Sequence, residues 1–445
     1  MNSNPEAPTL FGHLSDLESC DSAVMESHAF KKDYVVQKTS FRDVTYEQQL
    51  PRLDSDNSPF ASWWRAFMGA GATVANHATE LTAVDVFSGA GGFSVGLSSA
   101  AASFGASVKF AAAIDVDFPA LQVHANNHRT HEVLPLSADL CVDWQIRGKG
   151  DEARFKYEPE VVHDALTPWV GSVDVLIGGP PCQGHSSLNN ASRHSDVRNS
   201  LYLTMPALGV ALKAPIVVIE NVPGVVRDKS GVVQAAEKLF LESGYFVTKG
   251  TLAAHQLGWP QTRKRFFMVA VRGVQPVSID SQAAASHQEG LSLRWALQNL
   301  VEDAHPILDG KPAYSAENVE RMQFLVDNQS DQDLPLSRRP KSHQQGTSYK
   351  SVYGRMNWDE PAPTITTGFS TPGRGRFTHP DEGRTLTVRE AARVQGFPDS
   401  YFSREVLNDL QPNRSQLAKW VGDAVPPRLG HVALLTALGP YLVSE

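Results

Sequence analysis

The chain has 445 residues, 41% hydrophobic and 20% charged, enough for two domains plus extensions. No run of 18 apolar residues occurs, and the first 21 residues have neither the basic start nor the apolar core of a secretory signal, so no membrane association is expected. Three cysteines (Cys20, Cys141, Cys182) without a CxxC spacing argue against a disulfide framework or a metal site and for a reducing, cytoplasmic setting.

The net charge of −8 is unevenly spread: residues 1–80 carry −5, residues 81–260 carry −4, and residues 261–445 carry +1. The last stretch holds Arg263-Lys264-Arg265, Arg338-Arg339-Pro340-Lys341 and Arg374/Arg376, a local basic footprint that permits nucleic-acid binding without demonstrating it.

In chain order, residues 1–58 are polar, broken by turn formers and without clear periodicity, which predicts a partly disordered extension. Residues 60–77 read as a short amphipathic helix that docks Trp63, Trp64 and Phe67 on the body. From Leu81 strands and helices alternate. Strands are predicted at 81–87, 110–114, near 139, 173–177, 216–219, 245–252 and 266–271, with helices after the glycine turn at 89–92 and over 119–127. This alternation spells an α/β, Rossmann-like, doubly wound and mostly parallel sheet. The division expected is an extension over 1–80, a catalytic and cofactor-binding domain over 81–272, a smaller target-recognition domain over 273–383, and a closing segment over 384–445.

The stretch VDVLIGGPPCQGHSS (173–187) organises the rest. Its apolar run suits a buried parallel strand, and Gly178-Gly179-Pro180-Pro181 ends it abruptly, delivering Cys182 just past the carboxyl end, where ligands collect in open α/β sheets. A lone cysteine is ordinarily a core thiol, but a rigid loop presenting sulfur suits a nucleophile that must be held in place. Ser88-Gly89-Ala90-Gly91-Gly92, with Asp115 a little over twenty residues on, suits a nucleoside-containing cofactor. Ser94 stands where the third glycine of a dinucleotide fingerprint belongs, and no Lys or Arg flanks the turn to meet a pyrophosphate. A phosphate-free cofactor, S-adenosylmethionine, fits better than a nicotinamide, though a purely structural turn gives the same pattern.

DVFSGAGGFSVGL (85–97), GGPPCQGHS (178–186), ENVPG (220–224), QTRKR (261–265), RTLTVREAARVQGFPD (384–399) and VGDAVPP (421–427) occur in the order found in C5-cytosine DNA methyltransferases, and the chain resembles that family over about 81–440. The resemblance implies methyl transfer from S-adenosylmethionine to C5 of a flipped-out cytosine in duplex DNA. Cys182 would attack C6, Glu220 would hold N3 and the exocyclic amine, Arg265 would contact O2, and Arg263 would brace the Cys loop and Glu220. It further implies a cofactor pocket of Phe87, Gly89, Gly91, Asp115, Asp139, Leu201, Asp423 and Val425. Ser186, Arg193 and Arg198 in the loop after Cys182, with Arg374 and Arg376, would meet DNA; residues 358–377 are expected to supply strands and a Gly/Arg loop.

Three departures from the family pattern stand out. His185 replaces an aromatic, Asp115 a glutamate, and Asp423 an asparagine; a carboxylate at 423 near the methionine carboxylate would repel it. The expected partner is double-stranded DNA, with the enzyme a monomer on it, either solitary or paired with a cognate restriction endonuclease acting at the same site. The rival readings are the same chemistry on tRNA, a methylation-dead DNA-binding regulator (against which all four catalytic side chains are present) and a nicotinamide oxidoreductase.

Overall fold

The computed structural model describes residues 23–53, 55–70, 79–181, 201–300, 305–329, 334–344 and 353–444. At its centre is a seven-stranded sheet. The strands in chain order are β4 (Thr79–Val86), β5 (Ala106–Ile114), β6 (Glu132–Leu134), β7 (Val175–Gly178), β8 (Ile216–Asn221), β9 (Tyr245–Ala253) and β10 (Lys264–Arg272). Their spatial order is β9-β10-β8-β7-β4-β5-β6, and β10 alone runs antiparallel to its neighbours. The chain winds outward from β4 through β5 to β6, then restarts at β7 on the other side of β4. The crevice beyond the carboxyl ends of β4 and β7 is therefore the topological switch point, where open α/β sheets bind ligands.

Every residue of β7 and β8 is buried, as expected of central parallel strands covered on both faces. Alternate residues serve two cores. Ile177, Val218 and Val269 face the layer of α2 (Gly92–Ser103), α3 (Phe118–His128) and the last helix α10 (Pro427–Ser444). Leu176, Val217 and Met268 face α4 (Thr204–Ala211) and α5 (Val232–Glu242).

Within the partly disordered extension expected over 1–58, residues 25–51 are folded. They form an antiparallel sheet of β1 (Met25–Phe30), β2 (Tyr34–Phe41) and β3 (Val44–Pro51), followed by α1 (Pro59–Ala70). Val24, Val35, Phe41 and Leu50 join Trp63, Trp64 and Phe67 in the same core as α10. The sheet escaped notice because its inward positions are partly polar. In β1 the less exposed residues are Glu26, His28 and Phe30, and in β2 Gln37 and Thr39 are buried. A binary hydrophobic pattern cannot register a face whose polar groups are paired inside.

α6 (Ile279–Ala285) packs on β9 and, through Gln282, bonds both backbone polar groups of Val24. Beyond it lie α7 (Ala316–Asp327), α8 (Val388–Gln395), capped reciprocally by Thr387 and Glu390, and α9 (Arg414–Asp423). The strands expected within 358–377 are not formed among the described residues. That stretch makes an isolated bridge (Gln261 to Ala362) and a one-turn helix at Pro372–Arg374. Its Pro- and Gly-rich sequence interrupts any ladder. No helix among the described residues is long and apolar enough to cross a membrane.

Candidate active site at the switch point

β4 is followed by Phe87, whose φ of +56° is unusual for a bulky residue, and the turn continues through Gly89 (φ +50°) and Gly91 (φ +95°). A Cβ at Gly91 would lie 2.4 Å from Tyr401 Oη and 2.9 Å from the His124 ring, so conformation and space both require glycine. Beneath the turn, Tyr401 Oη donates to Ala90 O (2.7 Å), while Ser94 Oγ donates to Asp85 (2.6 Å) and contacts His124 Nε2 (2.9 Å). Burial pushes Asp85 up to about 7 and His124 down to about 3, both directions favouring an uncharged floor.

Asp115 follows β5. Its two carboxylate oxygens accept the backbone N–H groups of Gly89 (2.8 Å) and Asp117 (2.9 Å), tying the second strand to the glycine turn, and burial raises its pKa. Asp139 is exposed on the short helix after β6, and Leu201 is half-buried at the described start of the segment leading into α4. Two residues that sequence reasoning missed sit beside these carboxylates: Val116 is 73% and Leu140 62% exposed. Large apolar side chains left open to solvent next to polar cofactor candidates suit the faces of a planar ring. Their adjacency to Asp115 and Asp139 was the available signal.

Glu220 lies in the last turnward positions of β8, its side chain 10% exposed and its Oε1 2.7 Å from Arg265 Nε. Burial raises the Glu220 pKa despite the opposing pull of Arg265 and Arg263. The next residue, Asn221, donates from Nδ2 to Pro180 O (3.2 Å) and accepts from Val222 N (2.8 Å). It thereby ties β8 to the turn that precedes Cys182. Sequence reasoning treated Asn221 only as part of a frame; the structure gives it a bracing task.

Arg263 is buried and donates to Ile365 O (2.6 Å) and Ala424 O (3.2 Å). It joins β10 to the 358–377 stretch and to the loop carrying Asp423 and Val425, a wider reach than the bracing of Glu220 expected for it. Gln261 and Trp259 extend the same seam, both donating to Val394 O at the end of α8. Val425 is buried, its methyl 3.5 Å from where a Cβ on Gly179 would be. Asp423 is 58% exposed and pairs with Lys419. Arg374 is exposed and Arg376 half-buried, their stems covering Gly368 and Gly354 respectively. Cys182, His185, Ser186, Arg193 and Arg198 lie outside the described residues.

One carboxylate–guanidinium pair, a proline turn held by an asparagine, and a glycine turn with an acidic residue beside it thus share the crevice between β4, β7 and β8. Residues 150–436 match the family model for C-5 cytosine-specific DNA methylases. The chain belongs to that family. It is 36% identical over 368 residues to Type II methyltransferase M1.BsuMI of Bacillus subtilis, covering 81% of this chain and 82% of the relative. It is 27% identical to Type II methyltransferase M.Eco47II of Escherichia coli, covering 78% and 76%. Among solved structures, a putative prophage-encoded DNA modification methyltransferase from E. coli superposes with a TM-score of 0.52 at 22% identity, covering 82% of this chain and all of that one. The S. pombe Dnmt2 methyltransferase superposes at 0.51 and 16%, covering 81% and 99%. At those identities the likeness is one of fold. The chain is a DNA cytosine-5 methyltransferase, and its family implies S-adenosylmethionine.

Proposed function

We propose that this methyltransferase acts on a cytosine flipped out of a specific duplex sequence, through a transient bond between Cys182 and C6. C5 of cytosine is too weak a nucleophile to take a methyl group unaided. Addition of the Cys182 thiolate to C6 moves the ring electrons onto C5. C5, with the ring held by Glu220 and Arg265, would then take the methyl group and leave the cofactor as a neutral thioether. Loss of the C5 proton and of the sulfur from C6 restores the aromatic ring and the enzyme. S-adenosylmethionine supplies the methyl group on a sulfonium centre when bound. A stacked base offers no approach to C6 from above its plane, so flipping is part of the reading.

The observation that carries it is the buried Glu220–Arg265 pair beside the turn that Asn221 holds at Pro180. Burial raises the pKa of this carboxyl, which favours sharing a proton with N3 as charge develops there, and an arginine keeps its charge for O2. For the cofactor, Phe87, Gly89 and Gly91 would line the methionine and adenosine, Asp115 the ribose and Asp139 the adenine amine, with Val116, Leu140 and Leu201 as apolar walls. Asp423 and Val425 would close the methionine end. Base reading falls to residues 273–383 with Arg374 and Arg376, because the flipped cytosine and the cofactor are the same at every site. Ser186, Arg193 and Arg198 would contact the DNA backbone. A monomer on duplex DNA, in the cytoplasm and alongside a restriction endonuclease of the same specificity, completes the reading.

Duplex carrying 5-fluorocytosine at the target tests it, since fluorine at C5 cannot leave as a proton does. The expected result is a complex that survives heated detergent, requires S-adenosylmethionine and disappears with Cys182→Ala. Methylation of ordinary duplex without any trapped complex on the fluorinated one would refute the covalent route.

A further inference from the structure

Three carboxylates crowd one rim of the proposed cofactor pocket, and a single ammonium group stands among them. Lys419 Nζ, on α9, lies 3.3 Å from Asp423 Oδ2 and 3.7 Å from Asp117 Oδ2. The next residue, Trp420, donates from Nε1 to the same Asp117 oxygen (3.1 Å). Asp117 caps α3 through its other oxygen, which accepts from Ala120 N (3.3 Å), and its own N–H binds Asp115. The last turn of α9 is thus fastened, across about three hundred residues of sequence, to the loop that carries Asp115.

The position of Asp423 gives this fastening a consequence for the ligand. Asp423 leads directly into Ala424 and Val425, and that loop lies against the start of α2: a Cβ on Gly92 would be 2.6 Å from Val425 O and 3.0 Å from the Ala424 methyl. No side chain caps the start of α2, and the backbone N–H groups of a helix start favour an anion, which in S-adenosylmethionine would be the methionine carboxylate. An unbalanced carboxylate at 423 would oppose that anion. Asp115 and Asp117 add two more negative charges nearby.

We propose that Lys419 is a charge-balancing positioning residue, which neutralises Asp423 at the methionine end of the pocket and so lets this chain bind the amino-acid part of its cofactor. The proposal rests on the cofactor reading above. An ordinary exposed ion pair would matter little, being screened by water. Here the pair matters because a third charge, on the ligand, enters its field.

Calorimetric binding of S-adenosylhomocysteine and of 5′-methylthioadenosine separates the possibilities, since only the former carries the amino-acid end. In Lys419→Gln we expect S-adenosylhomocysteine to bind several-fold more weakly and 5′-methylthioadenosine to stay within twofold of wild type. The double variant Lys419→Gln/Asp423→Asn should return S-adenosylhomocysteine to within twofold of wild type. Raised salt should narrow the gap between Lys419→Gln and wild type. Equal weakening of both ligands, tighter binding of S-adenosylhomocysteine, or no rescue by Asp423→Asn would overturn the proposal. Wild-type protein that binds neither ligand would overturn the cofactor reading itself, a result distinct from all of these.

Discussion

Glu26 is the most informative residue outside the active site. Its carboxylate sits between β1 and the start of α10, 2.8 Å from His431 Nε2 and 3.1 Å from Arg428 Nη1, and accepts from Gln37 Nε2 (2.7 Å). The side chains of Glu26, Arg428 and His431 are 4%, 1% and 1% exposed. Arg428 in turn donates to Leu257 O (3.1 Å) and lies over the Trp64 ring at 4.9 Å. Glu26→Gln keeps the shape but leaves a buried guanidinium without its counter-charge. Removing one partner of such a pair costs about 3–5 kcal/mol, whereas replacing both with apolar groups is often neutral. Equilibrium denaturation should therefore place Glu26→Gln about 3–5 kcal/mol below wild type, with the double variant Glu26→Gln/Arg428→Met less affected than the sum of its singles. Burial by itself would raise the Glu26 carboxyl, but His431 and Arg428 hold it well below the ordinary carboxylate range. A depressed folded-state pKa means stabilisation that is complete above the unfolded value of about 4.5 and fades as pH falls below it. The gap between wild type and Glu26→Gln should accordingly close on acidification below pH 4.5. A Glu26→Gln protein within 0.5 kcal/mol of wild type at pH 7 (a difference of about twofold in the unfolding constant) would refute the view that the N-terminal sheet is clamped by charge.

Gly91→Ala should lose cofactor affinity and stability together, read by calorimetry and thermal melting, whereas Gly89→Ala should cost less, about 1 kcal/mol, because at Gly89 (φ +50°) a methyl meets open space and only the left-handed backbone is strained, while at Gly91 (φ +95°) it also clashes with Tyr401 and His124. His28, which burial lowers to about 4, stays neutral in the fold while the unfolded chain takes a proton near 6.5. His28→Asn should therefore lose less stability than wild type between pH 6.5 and 4, by up to about 3 kcal/mol in denaturation curves. The raised Glu220 pKa predicts that kcat/KM falls on the alkaline side as its proton is lost, and that Glu220→Gln flattens this limb while lowering the maximum. Exchanging residues 273–383 for those of a relative with a known target should transfer the target, scored by bisulfite sequencing; an active exchange enzyme that still modifies the original site would place recognition elsewhere.

What the sequence made legible follows from where polar groups sit. β7 and β8 announce themselves because burial on both faces demands unbroken apolar runs, and the glycine and proline turns after β4 and β7 announce the crevice because only those residues make such turns. The inner face of β1 and β2 is different. Glu26 is paired inside by Arg428 and His431, which lie some four hundred residues away, and Gln37 in turn donates to Glu26. No local window can see a carboxylate whose desolvation is offset by the far end of the chain. Arg263 was legible as a residue type but not in its reach, since Ile365 O and Ala424 O are backbone acceptors that carry no sequence signature. The same reasoning separates Asp423 from Lys419. Alone, Asp423 read as a charge at odds with its ligand; four residues earlier on one helix face, Lys419 was already visible as its partner. The bridge onward to Asp117 was not, and it is that bridge which makes the pair part of the pocket rather than an ornament of the helix surface.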